Sequence, residues 1–83
     1  MNEMLDALDV RLFMQRAGAE LLWMHYGDSE HALGNVRVRV MSRKVRVYAL
    51  KHNRFSPVLV SKLPVNRDEF TFALTKAALL CNG

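Results

Sequence analysis

His25, Asp28, Ser29, Glu30 and His31 fall within seven residues of one another. Their side chains are the types from which a nucleophile–base pair or a metal centre is built. Asp28-Ser29-Glu30-His31 contains the residue types of a catalytic triad. A working triad needs the base aimed at the nucleophile and an oxyanion hole beside them, and four consecutive loop residues do not converge that way. The spacing of His25 and His31 matches no standard zinc arrangement, and Cys81 lies far off in the chain. The glycines at 18, 27, 34 and 83 are isolated, so no glycine-rich phosphate loop exists. Cys81 sits on an apolar helical stripe without a basic neighbour and reads as packing. The expectation is a protein that is not an enzyme and uses no metal and no cofactor.

The other constellation is basic. VRVRVMSRKVRVY, residues 36–48, alternates strictly on both sides of Ser42-Arg43. It reads as a β-hairpin in which Val40 meets Val45, Val38 meets Val47 and Val36 meets Ala49, with every valine on one face. The other face then pairs Met41 with Lys44, Arg39 with Arg46 and Arg37 with Tyr48. Like charges directly across a strand pair are destabilising, so the row is most simply explained by a negative partner lying on it. The candidate anion- or nucleic-acid-binding residues are Arg37, Arg39, Arg43, Lys44, Arg46, Tyr48, Lys51 and Arg54. The planar fork of arginine pairs bidentately with phosphate or carboxylate.

The elements that must position these residues follow from periodicity. Asn2 reads as the cap of a first helix running to about Tyr26, with Gly27 as its left-handed terminator and Gly18 as a weak point. On a helical wheel this segment is apolar on two nearly opposite sides. Leu5, Leu8, Leu12, Ala19, Leu22, Trp23 and Tyr26 make one stripe; Val10, Phe13, Met14, Ala17, Leu21 and Met24 make the other. Residues 28–34 read as a single capped turn or loop, and residues 51–56 as a basic loop. Pro57 opens a third strand, Val58–Leu63, best placed on a sheet edge. Asn66-Arg67-Asp68-Glu69 is a capping box with Val65 and Phe70 as a hydrophobic staple, starting a second helix that carries Phe70, Leu74, Ala77, Ala78 and Cys81 on one stripe.

The expected fold is therefore α+β, in the order α-β-β-β-α, with a three-stranded antiparallel sheet and two helices on one face. Eighty-three residues make one domain, residues 1–83. This order resembles that of double-stranded RNA-binding domains in its elements alone. That resemblance implies a lysine cluster opening the second helix, whereas here Asp68 and Glu69 stand there and would repel RNA.

The net charge of +4 is unevenly spread: residues 31–67 hold nine bases and no acid. One cysteine permits no intrachain disulfide and fits a reducing, cytoplasmic setting. No apolar run is long enough to span a membrane, and the first residues lack the layout of a signal peptide. Two functions are expected in order. The first is a nucleic-acid-binding module that holds a DNA or RNA backbone on the basic sheet face. The second is a protein-binding adaptor or inhibitor, for example a phage-type inhibitor of a host defence or regulatory complex, docking on an acidic or hydrophobic surface. The second apolar stripe of the first helix, with Val10, Phe13, Met14, Leu21 and Met24, is the expected partner or homodimer interface.

Overall fold

The computed structural model describes residues 3–82; Asn2, the expected cap of the first helix, lies outside the described residues. The order is β1 (Met4–Leu5), α1 (Ala7–Arg16), β2 (Glu20–His25), β3 (Asp28–Leu33), β4 (Val36–Val40), β5 (Lys44–Lys51), β6 (Arg54–Lys62), β7 (Val65–Asn66) and α2 (Arg67–Asn82). The fold is α+β, but the main sheet has five strands rather than three, in the simple meander order β2-β3-β4-β5-β6. All its pairings are antiparallel. β1 and β7 form a separate two-stranded ladder. The element order shared with double-stranded RNA-binding domains is thereby lost.

The first helix is ten residues long, not about twenty-five. Asp6 caps it: the Asp9 amide donates to Asp6 Oδ1 at 2.9 Å and the Asp6 amide donates to Asp9 Oδ2 at 3.0 Å, a reciprocal box. It stops at Gly18, whose φ of +83° is the left-handed conformation that follows a helix end. The Gly18 amide donates to the Gln15 carbonyl at 3.1 Å and the Ala19 amide to the Met14 carbonyl at 3.0 Å. That is the paired closure of a Schellman motif. The two opposite apolar stripes on the wheel thus belong to two different elements, a short helix and a strand.

The hairpin of β4 and β5 has the register expected from its valines, from Val36↔Ala49 to Val40↔Val45. Its neighbours are also strands. Residues 28–33 pair with β4, so the segment expected as a turn or loop is β3. The stretch expected as a basic loop is a tight reversal: Lys51 pairs Arg54, and His52 and Asn53 both have positive φ, the signature of a type I′ turn. β6 is the sheet edge, and Pro57 lies in it, where the absent N–H breaks no inner ladder. The register slips there, leaving Val58 as an extra residue opposite Val47 and Tyr48.

One face of the sheet is the core. Val36, Val38, Val40, Val45, Val47 and Ala49 are buried beneath Val10 and Met14 of α1 and Phe70, Ala73 and Ala77 of α2. The Asn66 side chain caps α2 by accepting from the Glu69 amide at 3.1 Å, and the staple pair Val65 and Phe70 is fully buried. No helix is long and apolar enough to cross a membrane among the described residues.

Candidate binding face

Strand alternation sorts the chemistry-bearing residues of β3 before any side chain is placed. Ser29 and His31 oppose Val40 and Val38, so both point into the core face. Asp28 and Glu30 have the opposite parity and point to the open face. The four residues of the triad-like run therefore never assemble as one site. Ser29 and His31 do meet, Oγ to Nε2 at 2.9 Å, but both are buried. The Arg11 Nε of α1 donates to the Ser29 hydroxyl at 3.1 Å, and its guanidinium also reaches the Gly27 carbonyl. Burial first, and then the Arg11 charge, push the His31 pKa below its ordinary 6.5, with Glu30 opposing them. The Ser29 hydroxyl accepts from Arg11 and shares a hydrogen bond with His31 Nε2 whose direction follows the imidazole tautomer. The chain Arg11–Ser29–His31 ties α1 to the sheet. No group of three or more His, Cys, Asp or Glu is placed to hold a metal ion among the described residues. Cys81 is half-buried and donates to the Asn35 carbonyl at 3.2 Å.

The open face is built from the other parity of all five strands, and no helix covers it among the described residues. One row crosses the whole sheet: Trp23, Glu30, Arg39, Arg46 and Val60. A second runs through Ala32, Arg37, Tyr48 and Pro57. Lys44 faces Lys62 at one end, and Leu50 faces Phe55 at the other. Of the eight residues expected to bind an anion, Arg37, Arg39, Lys44, Arg46 and Tyr48 share this face. Arg43 is exposed in the adjoining β4–β5 turn. Lys51 and Arg54 do not join them: their parity is that of the valines, at the far end of the β5–β6 hairpin. Lys62 belongs to the face and was not among the expected residues; its alternation with Val60 in the run 58–62 was the available signal.

The repulsion between Arg39 and Arg46 has an internal answer. Glu30, from a strand the sequence reading took for a loop, pairs with Arg39 at 2.9 Å. The Arg39 guanidinium also lies over the Trp23 ring, 5.4 Å from its centroid, a favourable cation–π arrangement. Arg39 is thus neutralised within the chain. Arg46 is not: its Nη1 donates to the Tyr48 hydroxyl at 3.3 Å, and its buried Nε has no hydrogen-bond partner among the described residues. Arg37 donates to the Gly34 carbonyl at 2.6 Å and stays half-exposed. A depression of about 220 Å³ is lined by Glu30, Arg37, Arg39, Tyr48 and Phe55. The Tyr48 and Phe55 rings meet edge to face at 6.0 Å on its rim. The face is electrically divided: Glu20, Asp28 and Glu30 lie on β2 and β3, while Arg37, Arg39, Lys44, Arg46 and Lys62 lie on β4–β6.

The expected dimer stripe is split. Val10 and Met14 are fully buried in the core and cannot form an outer interface, while Phe13 is half-buried, edge-on to Phe70 at 5.3 Å. Leu21 and Met24 remain exposed, on β2. Comparison with protein-family models, with curated proteins and with solved structures finds no match to this chain.

Proposed function

We propose that the chain is a binding module that holds the backbone of a single-stranded nucleic acid on the β4–β6 half of its open sheet face. The observation that carries this reading is the juxtaposition, on one helix-free surface, of the cations Arg37, Lys44, Arg46 and Lys62 with the aromatic pair Tyr48 and Phe55. A cationic track beside rings on which bases stack is the physical requirement for single-strand binding. Lys44 and Tyr48 are four residues apart on one strand, about 13 Å at the usual rise, enough for phosphates at one end and a stacked base at the other. A duplex fits less well, because the face offers a narrow stripe of charge bounded by the carboxylates of β2 and β3.

Titration of a labelled oligothymidine or oligouridine over a salt series tests it. Neutralising about four phosphates predicts a fall in log K with log salt of slope about −3 on a single strand. Lys44→Ala with Arg46→Ala should reduce that slope by roughly half. Tyr48→Ala should weaken binding by about tenfold or more while leaving the slope unchanged, since stacking releases no counterions. Absence of salt-dependent binding to any oligonucleotide at low ionic strength overturns the reading. Binding instead to an acidic protein, through the same arginine and lysine residues, would favour the adaptor or inhibitor function.

A further inference from the structure

β2 is a sheet edge with no cover. All six of its residues are exposed, and no strand pairs with its outer side among the described residues. Leu21 is 50%, Leu22 40%, Trp23 38% and Met24 57% exposed. A long apolar edge is a template for pairing with another strand, and proteins that avoid such pairing blunt their edges with proline, bulges or charge. The opposite edge, β6, is blunted in all three ways, by Pro57, by the bulge at Val58 and by Arg54 and Lys62 at its ends. β2 has a bulge at Leu22, on the side facing β3, and one charge, Glu20, at its start, with four exposed apolar residues in a row between Glu20 and His25.

We infer that β2 pairs antiparallel with β2 of a second copy of this chain, about a two-fold axis between Leu22 and Trp23. The residues themselves select the partner. In this register Leu21 lies opposite Met24 of the other copy, and Glu20 opposite His25. The faces agree. Leu21 and Met24 oppose His31 and Ser29 on β3 and so lie on the helix side, whereas Glu20 and His25 oppose Ala32 and Asp28 on the open side. A slip by one residue would set Leu21 against His25 or Trp23, side chains of opposite faces. The polar ends also agree, the Glu20 carboxylate able to accept from the His25 ring N–H of the other copy, twice by symmetry. The same operation on β6, centred on Val58, would set Arg54 against Lys62, like charges at both ends. Of the two edges of the five-stranded sheet, β2 is the one whose end residues complement each other in a centred self-pairing. The product is a continuous ten-stranded sheet. The acidic strips of the two copies lie at its centre and the basic halves point outward.

The inference does not depend on the nucleic-acid reading, and its test uses none. Sedimentation velocity of the full chain over a concentration series should show a reversible monomer–dimer equilibrium. His25→Glu sets two carboxylates opposite each other at both ends and should weaken the dimer roughly tenfold. Adding Glu20→Arg to that variant should restore it, because opposite charges then face across the pair. Both positions are exposed, and an unchanged circular dichroism spectrum confirms that the variants fold. A strict monomer at the highest concentration reached overturns the inference. So does a dimer indifferent to both substitutions, which would place the contact elsewhere, for example on the exposed Phe72 and Leu79 of α2.

Discussion

Exclusion of water from the buried His31 ring first, and then the nearby Arg11 charge, disfavour its imidazolium, with Glu30 opposing them. The folded-state pKa therefore lies below the unfolded one. Well above pH about 6.5 both states carry neutral imidazole and stability is independent of this group. As pH falls below that value the unfolded chain takes up a proton that the folded chain resists, so folding weakens until the depressed pKa is passed. Thermal melts between pH about 7.5 and about 5 should show the midpoint falling with acidification. His31→Gln should flatten that slope, with Ser29 still able to donate to the new carbonyl oxygen. A wild-type midpoint that rises on acidification over this window would contradict the assignment. Arg39 and Glu30 teach the complementary point at the same scale. Read along the hairpin, the arginine faces only a like charge; across the sheet, its partner waits on the next strand.

Glycine at the end of α1 decides where a helix gives way to a strand. A left-handed residue there lets two orphan carbonyls be satisfied within one turn. A methyl group on Gly18 would meet nothing within 4 Å, so substitution costs only the backbone preference. Gly18→Ala should destabilise by about 1–2 kcal/mol and Gly18→Asn by less, measured by urea unfolding. Equal stability of the two variants would mean that the turn has another source. The two caps show why helix starts are easier to read than helix ends. Asn66 with Glu69, and Asp6 with Asp9, are local pairs three residues apart. The second pair carries the same signal as the first, but the longer apolar pattern around it concealed it. The turn at His52-Asn53 was hidden for a similar reason: histidine in a left-handed pair is uncommon, and the charges around it suggested a loop.

Over the whole molecule a single layer of side chains holds two helices to one face of the sheet, and Phe70 lies at its centre, fully buried and edge-on to Phe13. Truncating a buried phenylalanine costs about 3–5 kcal/mol. A domain this small has little more than about 5 kcal/mol to lose. Phe70→Ala should therefore be largely unfolded at 37 °C by circular dichroism, while Phe72→Ala, on the exposed side of α2, should melt within a few degrees of wild type. What the sequence determined by itself was whatever depends on neighbours along the chain. The valine alternation specified the β4–β5 register, the Asn66 cap began α2, and the proline in β6 marked an edge. Tertiary structure alone decided the identity of residues 20–33. Leu21, Leu22, Trp23 and Met24 suit a helix or a strand equally by hydrophobicity, and only pairing with β3, itself pinned by β4, makes them a strand. That non-local pairing also chose which arginine is neutralised, which serine and histidine are buried, and which apolar residues are left at an open edge.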